Sequence, residues 1–440
     1  MSNTEETQTS RPNVEKNKAH NPKIAMILSI LFAGLGQVYN KRYVKGISFI
    51  VLEIAFIVCF GSFINLGLWG IKTLGTIPGT DHSIYLLVYG ILSILLIAFA
   101  IVFYVLNVMD ARKQAKVIAQ GHEIPKLMES FRESYDRSFP YLLTGPGLIL
   151  LAFTVVFPLL FAITLAFTNY DLYNSPPRHL VDWVGFDNFK NLLTVPLWKD
   201  TFINVFSWTI IWTLVATTLQ IALGLFLAIL ANDKRVKFKK IIRTILILPW
   251  AVPGFVSILV FAAMFNDQFG TINRNIIIPL FGGNGIPWLT DPFYTKVLLI
   301  MIQTWLAYPF LFALFTGVLQ SISSEWYEAA EVDGATSWQK FKNITMPHVF
   351  FATAPLLIIQ YTSNFNNFNV IYLLNEGGPA VKGQNAGGTD ILISWAYKLT
   401  FETNNYSMAA AISLIIGILV SIFAIFQFRR TNSFKEEGEI

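Results

Sequence analysis

The chain has 440 residues, of which 54% are hydrophobic, 15% aromatic and only 13% charged. Soluble domains carry about a quarter charged residues, so this composition excludes an ordinary soluble protein and indicates one embedded in a membrane. The net charge of +5 is no sign of a nucleic-acid partner, because in a membrane chain the placement of Lys and Arg matters more than their excess. The single cysteine, Cys59, excludes an intrachain disulfide.

The N-terminal part begins with a polar stretch and continues into apolar sequence. Residues 1–23 lack the apolar core and cleavage site of a signal peptide and predict a disordered cytoplasmic tail. Residues 24–39 are apolar but short for a span and are interrupted by Gly34 and Gly36. They favour a re-entrant or interfacial segment over a ninth span, and with the first two spans they form an N-terminal membrane region over 24–109.

Eight apolar runs are long enough to cross a bilayer as helices, which takes about 20 residues. They are residues 44–70, 84–108, 141–168, 202–231, 241–265, 297–320, 349–374 and 406–428. We therefore predict an all-α integral membrane protein with about eight transmembrane helices. A charged cytoplasmic connector at 110–139 separates the first two spans from a six-helix core over 140–428, and a cytoplasmic tail follows at 429–440. Within the core, the Gly- and Asn-rich segment 375–390 is expected to be a mobile external loop.

The distribution of positive charge predicts the orientation. Roughly three quarters of the 32 Lys and Arg residues lie in segments that eight spans with cytoplasmic termini would place inside the cell. Both termini are therefore expected in the cytoplasm. The same reasoning places the segment between the sixth and seventh spans, residues 321–348, in the cytoplasm.

That segment, 321–348, predicts two short helices. Ser324 is suited to cap the first, and Asp333-Gly334 breaks it. Thr336 and Gln339 have the spacing of a capping box, which opens a second short helix, and Pro347 marks the return to the membrane.

The aromatic residues of this segment need a cover. Two such short helices cannot bury Trp326, Trp338 and Phe341 by themselves. Either these side chains pack against other cytoplasmic loops or they dock a cytoplasmic partner.

Several chemistries have no signature in the sequence. It contains no G-x-x-x-x-G-K-[ST] motif for ATP, no H-E-x-x-H and no G-x-S-x-G, and its five histidines are scattered. Glu53 is the single clear acid within a span, whereas proton-coupled carriers keep buried ionisable relays. We expect no enzyme activity, metal site or cofactor in this chain.

Polar side chains are dense in the seventh span. Seven of them lie at membrane depth: Gln360, Thr362, Ser363, Asn364, Asn366, Asn367 and Asn369. They predict hydrogen bonds between helices, or a sugar site in which amides bind hydroxyl groups while Phe365 and Phe368 cover the apolar ring faces. Trp305, Tyr308 and Phe310 of the sixth span fit the same path, although core packing explains each of them equally well.

The segment 321–348 resembles the EAA loop of permease subunits of binding-protein-dependent ABC importers. The resemblance rests on Glu328-Ala329-Ala330 and Gly334, with Ile344 and Pro347 following; Met346 stands where the family usually has Leu. In that family the loop forms a coupling helix that binds in a cleft of the ATPase subunit. The resemblance therefore implies these coupling residues: Glu328, Ala329, Ala330, Asp333, Gly334 and Pro347.

Two further stretches, TWLAYPF at 304–310 and NFNNF at 364–368 followed by GGP, resemble MalF-type permeases of maltose and maltodextrin importers over about 141–428. The resemblance implies a MetI/MalF-like core of six helices. Together with the polar and aromatic pattern, it implies a saccharide site formed by Trp305, Leu306, Ala307, Tyr308, Phe310, Gln360, Ser363, Asn364, Asn366 and Asn367. Gln360 and Ser363 stand where MalF has Ser and Phe. Maltodextrin is the first candidate, with arabinogalactan or other oligosaccharides as alternatives; a stand-alone secondary carrier and a membrane scaffold or receptor are the other classes.

The resemblance also implies partners. They are a second, MalG-like permease subunit, MalK- or MsmX-like ATPase subunits that bind ATP with Mg²⁺, and membrane lipid around them. The external segment 169–200 is short, and GLGQVYNKRYVKG lies near the N-terminus, as in permeases of Gram-positive bacteria. An extracellular, lipid-anchored sugar-binding protein and a bacterial plasma membrane are therefore implied, and no nucleic acid.

Overall fold

The computed structural model describes residues 21–120, 127–233 and 235–430, and these residues form helices and connecting turns without a β-strand. In chain order the helices are α1 Pro22–Leu31, α2 Leu35–Tyr39, α3 Tyr43–Thr73, α4 Ser83–Ala119, α5 Leu127–Leu151, α6 Phe157–Leu165, α7 Asp187–Thr194, α8 Pro196–Asn232, α9 Lys239–Ile247, α10 Gly254–Met264, α11 Ile278–Phe281, α12 Pro292–Ser321, α13 Ser324–Val332, α14 Ser337–Lys340, α15 Met346–Phe365, α16 Phe368–Asn375, α17 Leu392–Phe401 and α18 Tyr406–Arg430. π-Helical turns occupy Ala152–Val156, Ile272–Ile277 and Phe341–Thr345, and a 3-10 turn occupies Leu248–Ala251. Most of the two predicted tails, and residues 121–126 of the predicted connector, lie outside the described residues.

The predicted membrane architecture is confirmed. Seven helical stretches are long and apolar enough to cross a membrane, and a bent helix pair is an eighth candidate. The seven are Tyr43–Thr73, Ser83–Ala119, Phe139–Leu165, Pro196–Asn232, Pro292–Ser321, Ser337–Asn375 and Tyr406–Phe426.

The fifth predicted span, 241–265, is not one continuous helix. It is the bent pair, in which Lys239–Ala251 and Gly254–Met264 meet at 86°. The break follows from two prolines. Pro249 lies in the 3-10 turn, and Val252 has the extended backbone that a residue before proline favours, because Pro253 disfavours the helical conformation there.

The seventh span begins earlier than predicted and has a break. The expected second short helix after Gly334 does not stand alone: α14 continues through the π-helical turn into α15, and Pro347 does not interrupt it. Pro347 lies in the first turn of α15, directly after the π-helical turn Phe341–Thr345. Near the other end, Asn366 and Asn367 separate α15 from α16.

The chain divides into two compact units. Of the described residues, the first unit contains those up to 164 together with 173–183, and the second contains 165–172 together with those from 184 onward. The span Phe139–Leu165 is thus grouped with the N-terminal helices, whereas the sequence suggested a boundary near 140. In the first unit, residues 24–39 fold into α1 and α2, which meet at Gly34.

Polar contacts join the helices of the first unit. Glu53, the acid of the first span, accepts a hydrogen bond of 2.6 Å from the Ala33 amide, at the point where α1 has ended. At one end of the unit, Lys45 and Asp110 form an ion pair of 2.9 Å that joins α3 to α4. The Glu53 carboxylate therefore pairs a backbone N–H that the end of α1 leaves without a helical partner, which is a structural role.

The core of the second unit is built on α8 and α12, which pack against each other more extensively than any other helix pair. Gly224 permits the close approach, since a Cβ placed on it would lie 2.8 Å from the Cβ of Leu311. Two apolar clusters lie along this pair. One surrounds Trp208 and Trp212 together with α16, and the other surrounds Phe312 and Phe315 together with Val349 of α15.

The Gly- and Asn-rich segment 375–390 is hydrogen-bonded in place, so the expectation of a mobile loop is wrong. Thr389 accepts a hydrogen bond of 3.0 Å from the Trp208 indole, which joins the segment to α8. The buried carboxylate of Asp390 forms an ion pair of 2.7 Å with Lys398 of α17. Burial raises the pKa of Asp390, and the Lys398 ammonium opposes that shift. Composition misled here because Thr389 and Asp390 of this segment have partners on α8 and α17.

Candidate functional site

The predicted coupling loop contains one short helix, α13. Its N-cap is Ser323, whose side chain accepts a hydrogen bond of 3.3 Å from the Glu325 amide, so the cap lies one residue before the predicted Ser324. The helix ends at Asp333, and Gly334 turns the chain with a φ of 77°, a conformation that favours glycine. Thr336 and Gln339 then form the predicted capping box at the start of α14.

Helix α13 is joined to the beginning of the seventh span. The Tyr327 and Thr345 hydroxyl oxygens lie 2.8 Å apart and share a hydrogen bond. The rings of Trp326 and His348 meet edge to face at 5.7 Å. Lys340 and Glu331 add an ion pair of 2.6 Å. Three contacts therefore tie α13 to the same span, so displacement of α13 is expected to move α15.

Large apolar side chains are exposed on α13 and α14, alongside the acidic residues of α13. Trp326 is 51% exposed, Trp338 67% and Val332 89%. Of the predicted coupling residues, Ala330 is half-buried, and the others, Glu328, Ala329, Asp333, Gly334 and Pro347, are exposed. Trp326 and Trp338 are thus not buried against the other described loops. Such an apolar surface is typical of a docking site for another protein.

A polar cluster near this loop was missed by sequence reasoning. Arg243 of α9 donates to the side-chain oxygen of Asn232 at the end of α8 and, at 2.8 Å, to the side-chain oxygen of Gln320 of α12. Lys239 donates to the Asn232 backbone oxygen at 3.1 Å. The three helix ends next to the coupling loop are thus held together, and the basic run at 232–243 was the available signal.

Asn364 is the best-connected residue of the predicted saccharide site. Its side-chain nitrogen donates to Thr217 of α8 at 2.7 Å, and its side-chain oxygen accepts from Gln303 of α12 at 2.8 Å. Its backbone oxygen accepts from the Trp212 indole at 2.9 Å. Asn364 is 2% exposed, so in this structure its amide joins three helices. Sequence reasoning missed Thr217, Gln303 and Trp212 as its partners, although Gln303 lies two residues before Trp305.

Other polar members of the predicted site are free. The side chains of Gln360, Ser363 and Asn366 make no hydrogen bond with any residue that the structure describes. Gln360 is half-buried, and Ser363 and Asn366 are exposed. Asn367 is half-buried, and its side chain faces the Val370 amide and the Asn364 side chain, each at 3.5 Å. Free amide and hydroxyl groups of this kind suit hydroxyl groups of a ligand.

The aromatic members of the predicted site, all on α12, take part in packing. Trp305 meets Phe261 of α10 edge to face at 5.1 Å, and Phe310 meets Trp250 at 6.0 Å. Tyr308 is buried, and Leu306 and Ala307 are half-buried.

Trp305 also faces an open groove of about 560 Å³. The groove lies between α8 and α12 and is lined by Leu219, Ala222, Leu223, Phe226, Ile300, Met301, Thr304 and Trp305. The free polar groups of α15 do not line this groove. The structure therefore brings Asn364 and α12 together, but it does not gather all predicted residues in one cavity.

Known proteins are similar to this chain in sequence. Residues 220–432 match the family model described as the binding-protein-dependent transport system inner membrane component. The galactooligosaccharides transport system permease protein GanP of Bacillus subtilis is 50% identical over 94% of this chain and 99% of its own. The maltodextrin transport system permease protein MdxF of the same organism is 46% identical over 94% of this chain and 96% of its own.

A solved structure is similar as well. It is a bacterial ABC transporter involved in the import of the acidic polysaccharide alginate, with a TM-score of 0.57, 21% identity, and coverage of 69% of this chain and 99% of that one. At this level of identity the likeness shows the fold alone.

Proposed function

The chain belongs to the family of binding-protein-dependent transport system inner membrane components, and from this premise we propose that it forms the membrane path of an ABC importer for a neutral oligosaccharide. The observation that carries the proposal is the surface of α13. Its exposed Trp326 and Val332 offer an apolar docking site on a short helix that is tied to a membrane span.

The proposed mechanism uses that link. A separate ATPase subunit binds α13 through the exposed residues of the coupling loop, and ATP with Mg²⁺ is bound by that subunit. When the ATPase subunits close, α13 moves as a rigid body and pulls the beginning of α15 through the Tyr327–Thr345 contact. Because α15 carries the free polar groups, its movement changes access to the saccharide path.

The proposal includes the remaining partners and the orientation. A second permease subunit completes the path, and an extracellular, lipid-anchored sugar-binding protein delivers the substrate on the side opposite to α13. The charge distribution supports a cytoplasmic coupling loop and cytoplasmic termini.

The proposed substrate class follows from the chemistry of the candidate residues. They are amides, a hydroxyl group, aromatic rings and aliphatic side chains, and none is charged. Such groups suit hydroxyl groups and apolar ring faces, whereas an acidic sugar would call for a cation in the site. Maltodextrin is the first candidate, on the strength of TWLAYPF and NFNNF. Galactooligosaccharide is the second, because the relative named for its transport is 50% identical over 94% of the chain.

Reconstitution tests the function and the substrate together. The complete transporter in proteoliposomes, supplied with binding protein and ATP, is expected to take up radiolabelled maltotriose or galactotriose and to leave an oligoalginate outside. Uptake driven by an ion gradient without any ATPase would instead identify a secondary carrier. Binding without uptake would identify a receptor or scaffold.

Cysteine labelling tests the orientation. We expect Ala330→Cys in a Cys59→Ser background to react with a membrane-impermeant maleimide in inside-out vesicles and to remain unlabelled in intact cells. Labelling from the cell exterior would overturn the proposed docking of the ATPase on α13.

A further inference from the structure

Gln220, near the middle of α8, has a buried amide without a partner. The residue is 0% exposed, and neither its Nε2 nor its Oε1 has a hydrogen-bond partner among the residues that the structure describes. Buried side-chain amides are normally paired, because an unpaired one has lost water and gained nothing in return. An amide left in this state needs a partner that this conformation does not supply.

The contacts between α8 and α15 place Gln220 at the level of a residue of the predicted saccharide site. Thr217 bonds to Asn364, and Thr218 bonds to Tyr361 at 3.1 Å. As the residue number rises on α8 it falls on α15, so the two helices are antiparallel. Two residues beyond Thr218 on α8, the same alignment places Gln220 at the level of Gln360 on α15. The Gln360 amide is also unpaired.

The contacts between α8 and α12 place it beside a second such residue. Thr217 and Gln303 bond to the same Asn364 side chain, and one to two turns further on Gly224 lies against Leu311. The two helices therefore run in the same direction, and the register puts Gln220 at the level of Ala307. Ala307 has a short apolar side chain, which offers the Gln220 amide no hydrogen-bond partner.

We propose that Gln220 is a saccharide-binding residue on α8, and that its amide binds neighbouring hydroxyl groups of a sugar ring together with Gln360. The amide offers a donor and an acceptor side by side, which matches two adjacent hydroxyl groups. This inference rests on the proposed function. The inference adds a residue of α8 to the saccharide site. Neither the sequence motifs nor the exposed residues of α15 indicate this residue.

The same geometry explains how the sugar reaches a buried amide. Helix α8 packs most extensively on α12, and Gly224 permits close contact there. Helix α15 is the one that is tied to the coupling helix, through Thr345. When α15 moves, it uncovers Gln220 from one side while α8 and α12 stay together. The unpaired amide disfavours the packed state, and the sugar hydroxyl groups satisfy it in the open one.

The test measures uptake and stability in matched variants of the complete transporter. Gln220→Leu removes the amide and keeps a similar volume, and Gln303→Leu removes an amide that is bonded to Asn364. We measure the KM and Vmax of uptake for maltotriose and galactotriose, and the Tm of the purified complex. We expect Gln220→Leu to raise the KM for the transported sugar about three- to tenfold and to leave the Tm unchanged or higher, whereas Gln303→Leu lowers the Tm.

Other results overturn the inference. An unchanged KM in Gln220→Leu shows that the amide does not contact sugar. A fall in Tm as large as that of Gln303→Leu shows that the amide has a structural partner instead. Gln220→Met, with its unbranched side chain, is the second variant; if neither variant assembles, the amide is structural and the inference fails. If the unaltered transporter takes up no oligosaccharide, the proposed function itself fails. If the unaltered transporter works and Gln220→Leu has a normal KM, only the inference about Gln220 fails.

Discussion

Tyr327 of α13 and Thr345, at the end of the π-helical turn before α15, share a hydrogen bond of 2.8 Å between their hydroxyl groups. The two residues are 18 positions apart and lie on opposite sides of the Gly334 turn. Both residues lie after the end of α12, which is three residues before the start of α13. Movement of α13 is therefore expected to be transmitted to the span that carries the free polar groups.

Tyr327→Phe tests this link. Removing the hydroxyl group breaks one hydrogen bond, worth about 1 kcal/mol, and leaves the ring packing intact. We expect fewer sugar molecules transported per ATP hydrolysed, with a normal amount of assembled complex. Thr345→Val should lower the number of sugar molecules transported per ATP by the same amount. The double variant should lower it no further than either single variant. The matched control is Tyr85→Phe, whose hydroxyl group has no hydrogen bond to a described residue; additive losses in the double variant would contradict the link.

The Gly334 turn gives a second prediction. Its φ of 77° is unfavourable for a β-branched residue, and no other atom approaches the position where a Cβ would lie. Gly334→Val should therefore strain only the backbone, by roughly 1–3 kcal/mol, and reorient α13 relative to α14. Sugar uptake is expected to fall while ATP hydrolysis persists. Gly334→Asn, which tolerates this φ, should retain most uptake, and Gly317→Ala, at an open helical position, should be neutral. Equal uptake by the Val and Asn variants would show that the turn is unimportant.

Asn364 and Asn366 are expected to respond differently to the same change. Asn364→Ala leaves the Gln303 and Thr217 side chains without their partner, so it should destabilise the protein by about 2 kcal/mol. Asn366→Ala breaks no side-chain hydrogen bond with a described residue and should leave stability unchanged while it raises the KM for sugar. The measurement is the midpoint of unfolding in detergent beside uptake kinetics. Equal loss of stability in both variants would contradict the assignment of Asn364 as the joint between helices.

The Asp390–Lys398 ion pair gives a fourth prediction. Both side chains are largely buried, and replacing one partner leaves an unpaired charge. Asp390→Ala should therefore destabilise the second unit by about 3 kcal/mol. Asp390→Ala combined with Lys398→Met should recover part of that loss, because no charge is left unpaired. The Tm of the purified complex measures both; a double variant that is less stable than Asp390→Ala would show that the pair is not the cause. Lys382→Ala, in the same segment 375–390 but outside this pair, is the control.

Sequence reasoning was accurate where one local pattern decides the structure. Apolar length predicted the spans, and the capping box of Thr336 and Gln339 is present. It was less accurate where a local signal competes with its surroundings. Gly and Asn in 375–390 suggested mobility, yet Asp390 and Thr389 are held by partners on α17 and α8. The fifth span was predicted as continuous because hydropathy does not register the bend at Pro253.

The sequence by itself determined that this is a helical membrane permease, and it predicted a coupling loop, because bilayer thickness and motif spacing act on neighbouring residues. Only the tertiary structure decided the roles of the amides. Asn364 and Asn366 are equally polar in the sequence, but the partner of Asn364 on α8 is 147 positions away. Likewise, nothing in the sequence around Gln220 shows that its amide is unpaired. A hydrogen bond depends on which helices meet, and that is a property of the packed chain.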